Sequence, residues 1–361
     1  MTSSTDRTSD RTSDPATDLL IAAYRGYLRV FAQGRLANHL SPAAPVRRAG
    51  FDIDVTVVDR TLVAEDVVSI TLARPDGTAL PAWTPGAHLD VFLPSGLQRQ
   101  YSLCGDPADR SSYRIAVRRV AGGSGSHEVH DQLEVGDPLT VRGPRNAFLL
   151  VPERSYLFVA AGIGITPILP MVTRAEASGA AWRLVYLGRS RATMPFLDDL
   201  ELYGDRVVVR TDDEHGVPSA EGVLALGRTG EAPLPPAVYL CGPPPLIDAA
   251  RTLVRPLAPH SRLFSERFSA PPVRGGEPFS VTLARSGRLV QVAEDESLLT
   301  VLRREVPGVA YSCQQGFCGT CKVRVLSGEI DHRDKLLLPA EREELLLACS
   351  SRGRGPLVLD L

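Results

Sequence analysis

The chain has no apolar run of the roughly 18 to 20 residues that a membrane-spanning helix needs. Its start lacks the basic, apolar and small-residue pattern of a secretory signal. Six cysteines in 361 residues are too few for a disulfide scaffold, and a formal net charge of −2 gives no electrostatic reason to expect nucleic acid or an anionic membrane as partner. These absences predict a cytoplasmic protein that binds neither.

A polar leader and one helix come first. The repeat DRTSDRTSD at residues 6–14 cannot bury enough apolar surface to offset its ordering entropy, so a disordered tail is expected at residues 1–16. An amphipathic helix is predicted in residues 17–34 from apolar residues near helical spacing: Leu20, Tyr24, Tyr27, Leu28 and Phe31. The helix either packs on the body of the protein or docks a partner or a second subunit. Together these segments form a predicted N-terminal extension, residues 1–50.

Three patterned segments follow the extension. Short alternating runs between Pro and Gly turns predict an antiparallel β-barrel over residues 51–151. Buried-strand runs that alternate with helix-like segments predict an α/β Rossmann-like domain with a parallel sheet over residues 152–268. A Pro- and Gly-rich linker is predicted at residues 269–276. The third unit, residues 277–361, begins like a hairpin and then has a helix opening near Asp295 to Ser297, so the predicted fold class is multidomain.

Three cysteines cluster in the stretch YSCQQGFCGTCKVRV, residues 311–325, and one more follows. The full spacing is C-x4-C-x2-C-x27-C, through Cys313, Cys318, Cys321 and Cys349. This is the plant-type ferredoxin spacing, in which four thiolates hold a [2Fe-2S] cluster. Gly316 and Gly319 let the loop wrap closely, with its amides toward the sulfides.

Zinc and a disulfide are the alternatives for these cysteines. Structural zinc usually takes paired short-spaced ligands, whereas Cys349 has no close companion. A disulfide is disfavoured in a cytoplasmic chain. The unit resembles the plant-type ferredoxins, and this resemblance implies a β-grasp fold with the cluster near the surface. Such a cluster carries single electrons at low potential.

The upstream stretch RQYSLCGDP, residues 99–107, resembles the R-x-Y-S flavin signature of ferredoxin reductase-type proteins. Arg99 can pair with a flavin phosphate through its planar fork. Tyr101 offers an aromatic face to the ring system, and Ser102 offers a hydroxyl or amide to the ring nitrogen that receives hydride. The resemblance therefore implies that the barrel binds a flavin.

A second stretch, GGSGSHEVHDQL at residues 122–133, resembles the loop and helix that hold the flavin phosphate in that family. Gly125 and Ser126, at the helix start, can present amides to a dianion. Family members often have arginine where this chain has Gly123, and His130 is interpreted as a structural helix residue. The expected flavin-contacting set also includes two residues of the preceding strand, Val117 and Arg118.

The stretch LFVAAGIGITP, residues 157–167, has the pattern of a buried strand, a glycine turn and a helix beginning near Pro167. This order places a pyrophosphate on a helix N-terminus, although a purely structural turn also accounts for it. In the reductase family it is the NAD(P)-binding loop, and the resemblance puts Thr166 near the nicotinamide. The expected nucleotide-binding residues are Gly162, Gly164, Thr166 and Pro167.

The family's second nucleotide signature, C-G-P, is present as Cys241, Gly242 and Pro243 in VYLCGPPPLIDAA. The resemblance places Cys241 beside the nicotinamide, and a packed strand-end thiol is the alternative. Ser102, Thr166 and Cys241 are thus the residues expected where hydride is transferred.

The segment LGRSRATMPFLDDL, residues 187–200, resembles the adenosine-side segment of phthalate dioxygenase reductase-like proteins, which use NADH. Arg189 and Arg191 can in principle grip a 2′-phosphate, and no acidic residue immediately follows that strand to bind a ribose diol. NADH is nevertheless expected. The segment FSERFSA, residues 264–270, matches the family's Glu and Phe near the flavin, so Phe268 is expected to shield the ring until nicotinamide displaces it.

The domain order is similar to that of the phthalate dioxygenase reductase group, which carries FMN, over residues 51–361. The resemblance implies an enzyme that takes electron pairs from NADH and passes single electrons through FMN and a [2Fe-2S] cluster. The implied partner is a terminal oxygenase, either Rieske-type or a haem-thiolate monooxygenase, and a monomer is expected. Two other functions stay open: a non-enzymatic iron-sulfur redox sensor or carrier, and a reductase of free flavin or ferric ion.

Overall fold

The computed structural model describes residues 52–228, 235–306 and 308–361. The tail and helix predicted in residues 1–50 lie outside these ranges. No helix within them is both long and apolar enough to cross a membrane. The described chain forms one six-stranded sheet, two five-stranded sheets and one two-stranded sheet.

The first sheet is an antiparallel barrel. Its strands are β1 (Asp52–Ala64), β2 (Val67–Ala73), β3 (Ala87–Phe92), β4 (Gln98–Ser102), β5 (Ser112–Arg118) and β6 (Pro138–Asn146), with helix α1 (Ser124–Asp131) between β5 and β6. The strand order is β4-β3-β6-β1-β2-β5, with antiparallel neighbours throughout. A bridge between Leu103 and Ile115 joins the two edges. The predicted barrel is therefore confirmed.

The second sheet is parallel and has helices between its strands. The strands are β7 (Ser155–Ala161), β8 (Ala181–Gly188), β9 (Val207–Thr211), β10 (Ala237–Cys241) and β11 (Arg262–Glu266). The helices are α2 (Ile165–Ala177), α3 (Leu197–Glu201), α4 (Asp212–His215), α5 (Ala220–Leu226) and α6 (Pro244–Leu257). The order β11-β10-β7-β8-β9 reverses direction between β7 and β10. At such a switch point the carboxyl ends of the strands open a crevice for ligands, which agrees with the predicted nucleotide-binding fold.

The remaining sheets and one helix form the C-terminal part, residues 279–361. Its elements are β12 (Phe279–Leu283), β13 (Arg288–Val292), α7 (Leu298–Glu305), β14 (Lys322–Ser327), β15 (Ile330–Asp331), β16 (Leu345–Leu347), β17 (Arg352–Gly353) and β18 (Leu357–Leu359). The larger sheet is mixed, in the order β13-β12-β18-β14-β16. Helix α7 begins where predicted, because Ser297 Oγ caps it by accepting from Thr300 N at 3.2 Å.

Apolar packing joins the barrel to the parallel sheet, whereas the C-terminal part has a separate apolar cluster. One cluster of buried residues combines Val67 and Phe148 of the barrel side with Phe158 and Met171 of the parallel-sheet side. The Phe148 ring also packs on Tyr239, with centroids 5.5 Å apart. The buried apolar residues of the C-terminal part form a cluster of their own. The barrel and the parallel sheet therefore share a core.

Candidate functional site

Arg99, on β4, lies against the first turn of α1. Its Nη2 donates to Ser124 Oγ at 3.2 Å, and a Cβ added to Gly125 would lie only 2.6 Å from Arg99 Nε. Glycine at this position therefore leaves room for the guanidinium. A helix N-terminus and a guanidinium both favour an anion, so together they form a positive cradle where the flavin phosphate is predicted.

Ser126 closes the loop that leads into α1. Its Oγ accepts from Val120 N at 3.1 Å and donates to Gly123 O at 2.9 Å. The Ser126 hydroxyl therefore stabilises the loop through both of these hydrogen bonds. Any contribution of Ser126 to anion binding comes from its backbone amide in the first helical turn, as the sequence indicates.

Val117 and Arg118 are the last two residues of β5, and their side chains have different surroundings. Val117 is buried in the barrel core, and its carbonyl accepts a hydrogen bond from His130 Nε2 at 2.9 Å. The Arg118 side chain instead reaches the nucleotide turn, since a Cβ on Gly162 would lie 3.6 Å from Arg118 Nη1. Of the pair, Arg118 is the one whose side chain can meet a ligand.

The two nucleotide motifs meet at the carboxyl ends of β7 and β10. A Cβ on Gly164 would lie 2.3 Å from Cys241 O, so only glycine permits this approach. Gly162 has a φ of 53°, which also favours glycine. The 3-10 turn Gly162–Gly164 runs directly into α2 at Ile165. The helix consequently begins earlier than the predicted start near Pro167.

Thr166 and Pro167 lie in the first turn of α2, and both are buried. Thr166 Oγ1 donates to Ile163 O at 3.0 Å, so its hydroxyl stabilises the turn itself. Pro167 occupies a position where its missing N–H loses no intrahelical bond. Across the crevice, Pro243 precedes the first residue of α6 and follows Gly242, whose added Cβ would lie 2.9 Å from Ala161 Cβ.

A cavity of about 850 Å³ opens beside these motifs. Its lining includes Gly162, Pro243, Arg118, Arg189 and Asp212, and its volume suits a nucleotide. Asp212 could not be predicted from the residues directly after β8, where an acidic residue for the ribose diol was expected. Asp212 follows the neighbouring strand β9, whose carboxyl end lies at the same edge of the parallel sheet.

Ser102 and Glu266 face each other where the barrel meets the parallel sheet. Ser102 Oγ lies 3.5 Å from Glu266 Oε2, at the limit of a hydrogen bond, and the strand register pairs Glu266 with Cys241. Burial raises the pKa of Glu266 to about 8, against the lowering effect of the Ser102 bond. Burial, with the nearby Glu266 charge, also raises the pKa of Cys241 well above its ordinary value. Both groups are therefore mainly uncharged at neutral pH, and Cys241 stays a thiol.

Replacing Glu266 with glutamine tests the raised pKa. In the folded protein the Glu266 carboxyl group keeps its proton up to about pH 8, whereas in the unfolded chain it loses the proton at about pH 4.3. The free energy of unfolding of the wild type therefore falls as pH rises through this window. Glutamine does not ionise, so the free energy of unfolding of Glu266→Gln lacks this fall. The difference in free energy of unfolding, variant minus wild type, should therefore be larger at about pH 9 than at about pH 5 by on the order of 3 kcal/mol. Urea unfolding at both pH values measures the difference, with the exposed Glu134→Gln as control; parallel pH dependences in all three proteins would contradict the assignment.

Tyr101 and His88 lie on the neighbouring strands β4 and β3, on opposite faces of the sheet, because the register pairs Tyr101 with Leu89 and His88 with Ser102. Arg99 and Tyr101 share one face of β4 because alternate residues of a strand point the same way, and burial raises the pKa of Tyr101 to about 12. His88 is buried, and its Nε2 has no hydrogen-bond partner among the described residues. Burial lowers the pKa of His88, against the raising effect of Asp90. The imidazole is therefore neutral at neutral pH and can contact a bound group.

A small cavity of about 50 Å³ lies beside the Ser102–Glu266 pair. It is also bordered by His88 of the barrel, by Phe268 after β11 and by Cys313 of the C-terminal part. Phe268 is 54% exposed, so its ring can move without disturbing a core. The cavity thus adjoins residues predicted for the flavin and for the cluster, and Glu266 connects it to Cys241 through the strand register.

The four cysteines of the C-terminal part are free thiols, and Cys318 is the one that is partly exposed. Cys313 interacts with Cys318 and Cys349, and Cys321 interacts with Cys349. No group of three or more His, Cys, Asp or Glu side chains in the described ranges is arranged around one metal ion. A [2Fe-2S] cluster instead distributes four thiolates over two irons.

The loop that carries these cysteines has a special backbone. Gln314, Gly316 and Gly319 have φ values of 53°, 80° and 76°, and glycine relieves the strain at two of the three positions. Gln315 N donates to Cys313 Sγ at 3.4 Å. The loop therefore turns at least one amide toward a sulfur, as predicted for a cluster loop.

Two protein families match the chain. The oxidoreductase FAD-binding domain matches residues 54–149, and the 2Fe-2S iron-sulfur cluster binding domain matches residues 281–353. The phthalate 4,5-dioxygenase oxygenase reductase subunit of Pseudomonas putida is 38% identical over 313 residues, which cover 84% of this chain and 95% of that protein. The phthalate dioxygenase reductase of Burkholderia cepacia is 37% identical over 315 residues, with coverage of 84% and 96%. The chain belongs to the phthalate dioxygenase reductase-like family.

Solved structures agree with this membership. A phthalate dioxygenase reductase, described as a modular structure for electron transfer from pyridine nucleotides to [2Fe-2S], superposes with a TM-score of 0.62 at 35% identity. The match covers 86% of this chain and 98% of that one. An intact type IV self-sufficient cytochrome P450 monooxygenase superposes with a TM-score of 0.67 at 36% identity over 90% of this chain. The chain spans 44% of the length of that longer protein.

As a phthalate dioxygenase reductase-like protein, the chain is an oxidoreductase that passes electrons through a flavin and a [2Fe-2S] cluster to a partner oxygenase. The predictions of fold class, flavin, iron-sulfur cluster and enzymatic function are confirmed at this level. Residues 281–353 contain all four clustered cysteines, which favours the cluster over zinc. The domain limits and the individual residue roles stay predictions.

The residues around the crevice fit the flavin. The cradle of Arg99 and Gly125 suits a phosphate, the Tyr101 ring suits an aromatic system, and His88 Nε2 is an orphaned buried nitrogen. Sequence reasoning missed His88 because a lone histidine on a strand carries no signal. The resemblance of the FSERFSA segment placed Glu266 near the flavin, but its pairing with Cys241 was not predicted, since that pairing depends on strand register.

Proposed function

We propose that this reductase uses NADH, holds FMN and delivers single electrons to a terminal oxygenase of the Rieske or haem-thiolate type. The proposed cluster ligands are Cys313, Cys318, Cys321 and Cys349. The observation that carries the proposal is the small cavity that Ser102, Glu266, Phe268 and Cys313 border. It adjoins residues predicted for the flavin and for the cluster, and the strand register pairs Glu266 with Cys241 of the predicted nicotinamide site. We further propose that the protein acts as a monomer in the cytoplasm.

Each group of residues has a separate task in this proposal. A bound flavin accepts an electron pair and releases single electrons. Arg99 and the N-terminus of α1 hold the phosphate, and Ser102 orients the ring. The Gly162–Gly164 turn and the Cys241 motif hold the nicotinamide in near-attack position, where orientation rather than acid-base chemistry lowers the barrier. Phe268 covers the ring when nicotinamide is absent.

FMN is favoured over FAD by the domain order already described. The phosphate cradle supports it, because Gly125 lets the Arg99 guanidinium approach the N-terminus of a short helix. The guanidinium and the positive end of the helix together favour a terminal phosphate dianion. Release of the flavin by heat and chromatography against FMN and FAD standards tests this choice. Recovery of FAD would overturn it.

Asp212 supports NADH as the donor, because a carboxylate that borders the nucleotide cavity can bind a ribose diol and repel a 2′-phosphate. Replacing Asp212 with serine removes a charged hydrogen bond, so we expect the ratio of kcat/KM for NADH to that for NADPH to fall by about 10- to 100-fold. Initial rates with each donor measure this ratio.

The neighbouring Asp213 supplies the control for that experiment. It is exposed and is not part of the cavity lining, so Asp213→Ser should keep the wild-type ratio. An equal effect of both substitutions would indicate general electrostatics, and an unchanged ratio in Asp212→Ser would remove Asp212 from nucleotide recognition.

The proposed electron path is tested by comparing acceptors under anaerobic conditions. Ferric cytochrome c serves as a one-electron protein acceptor, and free FMN and ferric citrate serve as small acceptors. We expect NADH-driven reduction of cytochrome c to require the four cysteines. If the small acceptors are reduced faster, and equally well without the cluster, the protein is instead a reductase of free flavin or ferric ion.

A further inference from the structure

A buried carboxylate links the C-terminal part to the barrel. The side chain of Asp90, on β3, has no exposed surface. Its Oδ1 accepts from Gln100 Nε2 at 2.9 Å and from Ser312 Oγ at 2.8 Å, and its Oδ2 accepts from Arg145. Ser312 belongs to the C-terminal part and directly precedes Cys313. We call these four residues, Asp90, Gln100, Arg145 and Ser312, the Asp90 node.

The Ser312 hydroxyl is the centre of the node. Besides donating to Asp90, it accepts from Gln100 Nε2 at 2.7 Å and from Arg145 Nη1 at 3.0 Å. A buried carboxylate is costly unless its oxygens have donors. Moving Ser312 away from the barrel would therefore leave Asp90 short of a donor. The node therefore favours one position of Ser312, and so of the adjoining cluster loop, against the barrel.

Other hydrogen bonds connect the cluster loop to the rest of the protein on either side of Cys313. Gln98 Nε2 of the barrel donates to Tyr311 O at 2.8 Å, and Gln315 Nε2 donates to Arg267 O at 2.9 Å. By contrast, among the described residues the apolar cluster of the C-terminal part draws on residues 279–361 alone. The placement of the loop on the barrel thus depends on directional hydrogen bonds, of which those at Asp90 involve the most deeply buried charge.

We propose that the Asp90 node is a positioning site that holds the cluster loop at the flavin end of the barrel. This inference rests on the proposed function, because Cys313 as a cluster ligand belongs to it. In the step concerned, one electron passes from flavin to cluster, so the flavin is oxidised and the cluster reduced by one electron. Such transfer slows steeply with distance. The node therefore controls this step and leaves reduction of the flavin by NADH unaffected.

Three variants of the full-length holoprotein and one control test the proposal. Ser312→Ala removes the hydroxyl, Ser312→Thr keeps it, and Asp90→Asn removes the charge from the opposite side of the interface. Ser350→Ala is the matched control, since Ser350 follows the cluster cysteine Cys349 but its Oγ has no hydrogen-bond partner in the described structure. If Ser312→Ala fails to fold, Asp90→Asn still tests the node.

Stopped-flow absorbance with NADH separates the two steps. We expect Ser312→Ala and Asp90→Asn to slow cluster reduction by roughly 10- to 100-fold, with an unchanged flavin phase, iron content and cluster potential. Ser312→Thr and Ser350→Ala should resemble the wild type. Hydrogen–deuterium exchange, which needs no electron flow, should become faster at residues 311–317 in the two slow variants only.

Two results would overturn the inference. One is wild-type exchange at residues 311–317 together with a wild-type rate of cluster reduction in both Ser312→Ala and Asp90→Asn. The other is a slow step that accompanies iron loss or a shifted potential, which would make Ser312 a support of the cluster itself. Failure of the proposed function is distinguishable, because then NADH would not reduce the cluster of the wild type at all.

Discussion

Replacing Cys349 with serine is expected to abolish the cluster and to leave reduction of the flavin by NADH intact. A [2Fe-2S] cluster needs thiolates from all four cysteines, and a serine hydroxyl is a poor ligand for it. The effect should stay local, because the C-terminal part has its own apolar core. Iron should fall from about two per chain toward zero, and NADH-driven reduction of cytochrome c should fall to background.

A cysteine outside the motif controls for general damage to the protein. Cys104 is buried in the core shared by the barrel and the parallel sheet. Cys104→Ala should lose roughly 1 kcal/mol of stability through the missing sulfur and keep its full iron content. Two irons per chain and an unaltered visible spectrum in Cys349→Ser would contradict the ligand assignment.

Replacing Arg99 with alanine is expected to weaken flavin binding by about 100-fold. The guanidinium lies on the first turn of α1, where its hydrogen bonds to a charged phosphate would contribute about 3 kcal/mol. Equilibrium dialysis or fluorescence titration of the flavin-free protein with FMN measures the dissociation constant. Arg99→Lys keeps the charge without the planar fork, so its loss should be intermediate.

Arg142 is a suitable control for Arg99 on the same barrel. Its Nε donates to Asp52 Oδ1 at 2.6 Å in a surface ion pair, a contact that contributes little to stability. Arg142→Ala should retain wild-type affinity for FMN. If Arg99→Ala purifies with a full complement of flavin, the role of Arg99 is structural and the phosphate lies elsewhere.

Much of the fold could be predicted from local patterns. The alternation in β1 places Ile53, Val55 and Val57 in the core, because a strand with one buried face repeats every two residues. The start of α7 follows from Ser297 as a cap, which acts within one turn of helix. The cysteine spacing identified the cluster without reference to tertiary structure, since its ligands lie mostly in one loop.

Several contacts that local patterns could not predict depend on long-range packing. Glu266 faces Ser102 only because β11 lies beside β10 and the parallel sheet packs on the barrel. Asp212 enters the nucleotide cavity because β9 is the neighbour of β8. Asp90 and Ser312 are 222 positions apart. No local periodicity carries such pairings, which arise from sheet order and from the docking of separate parts.

The most direct test of electron transfer from NADH through flavin to the cluster is an anaerobic titration of the purified protein with NADH, followed by visible absorbance. We expect the flavin and iron-sulfur bands to bleach together, with about three electrons taken up per chain, two by the flavin and one by the cluster. Bleaching of the flavin alone, or no change on addition of NADH, would contradict the proposed transfer from NADH through flavin to the cluster.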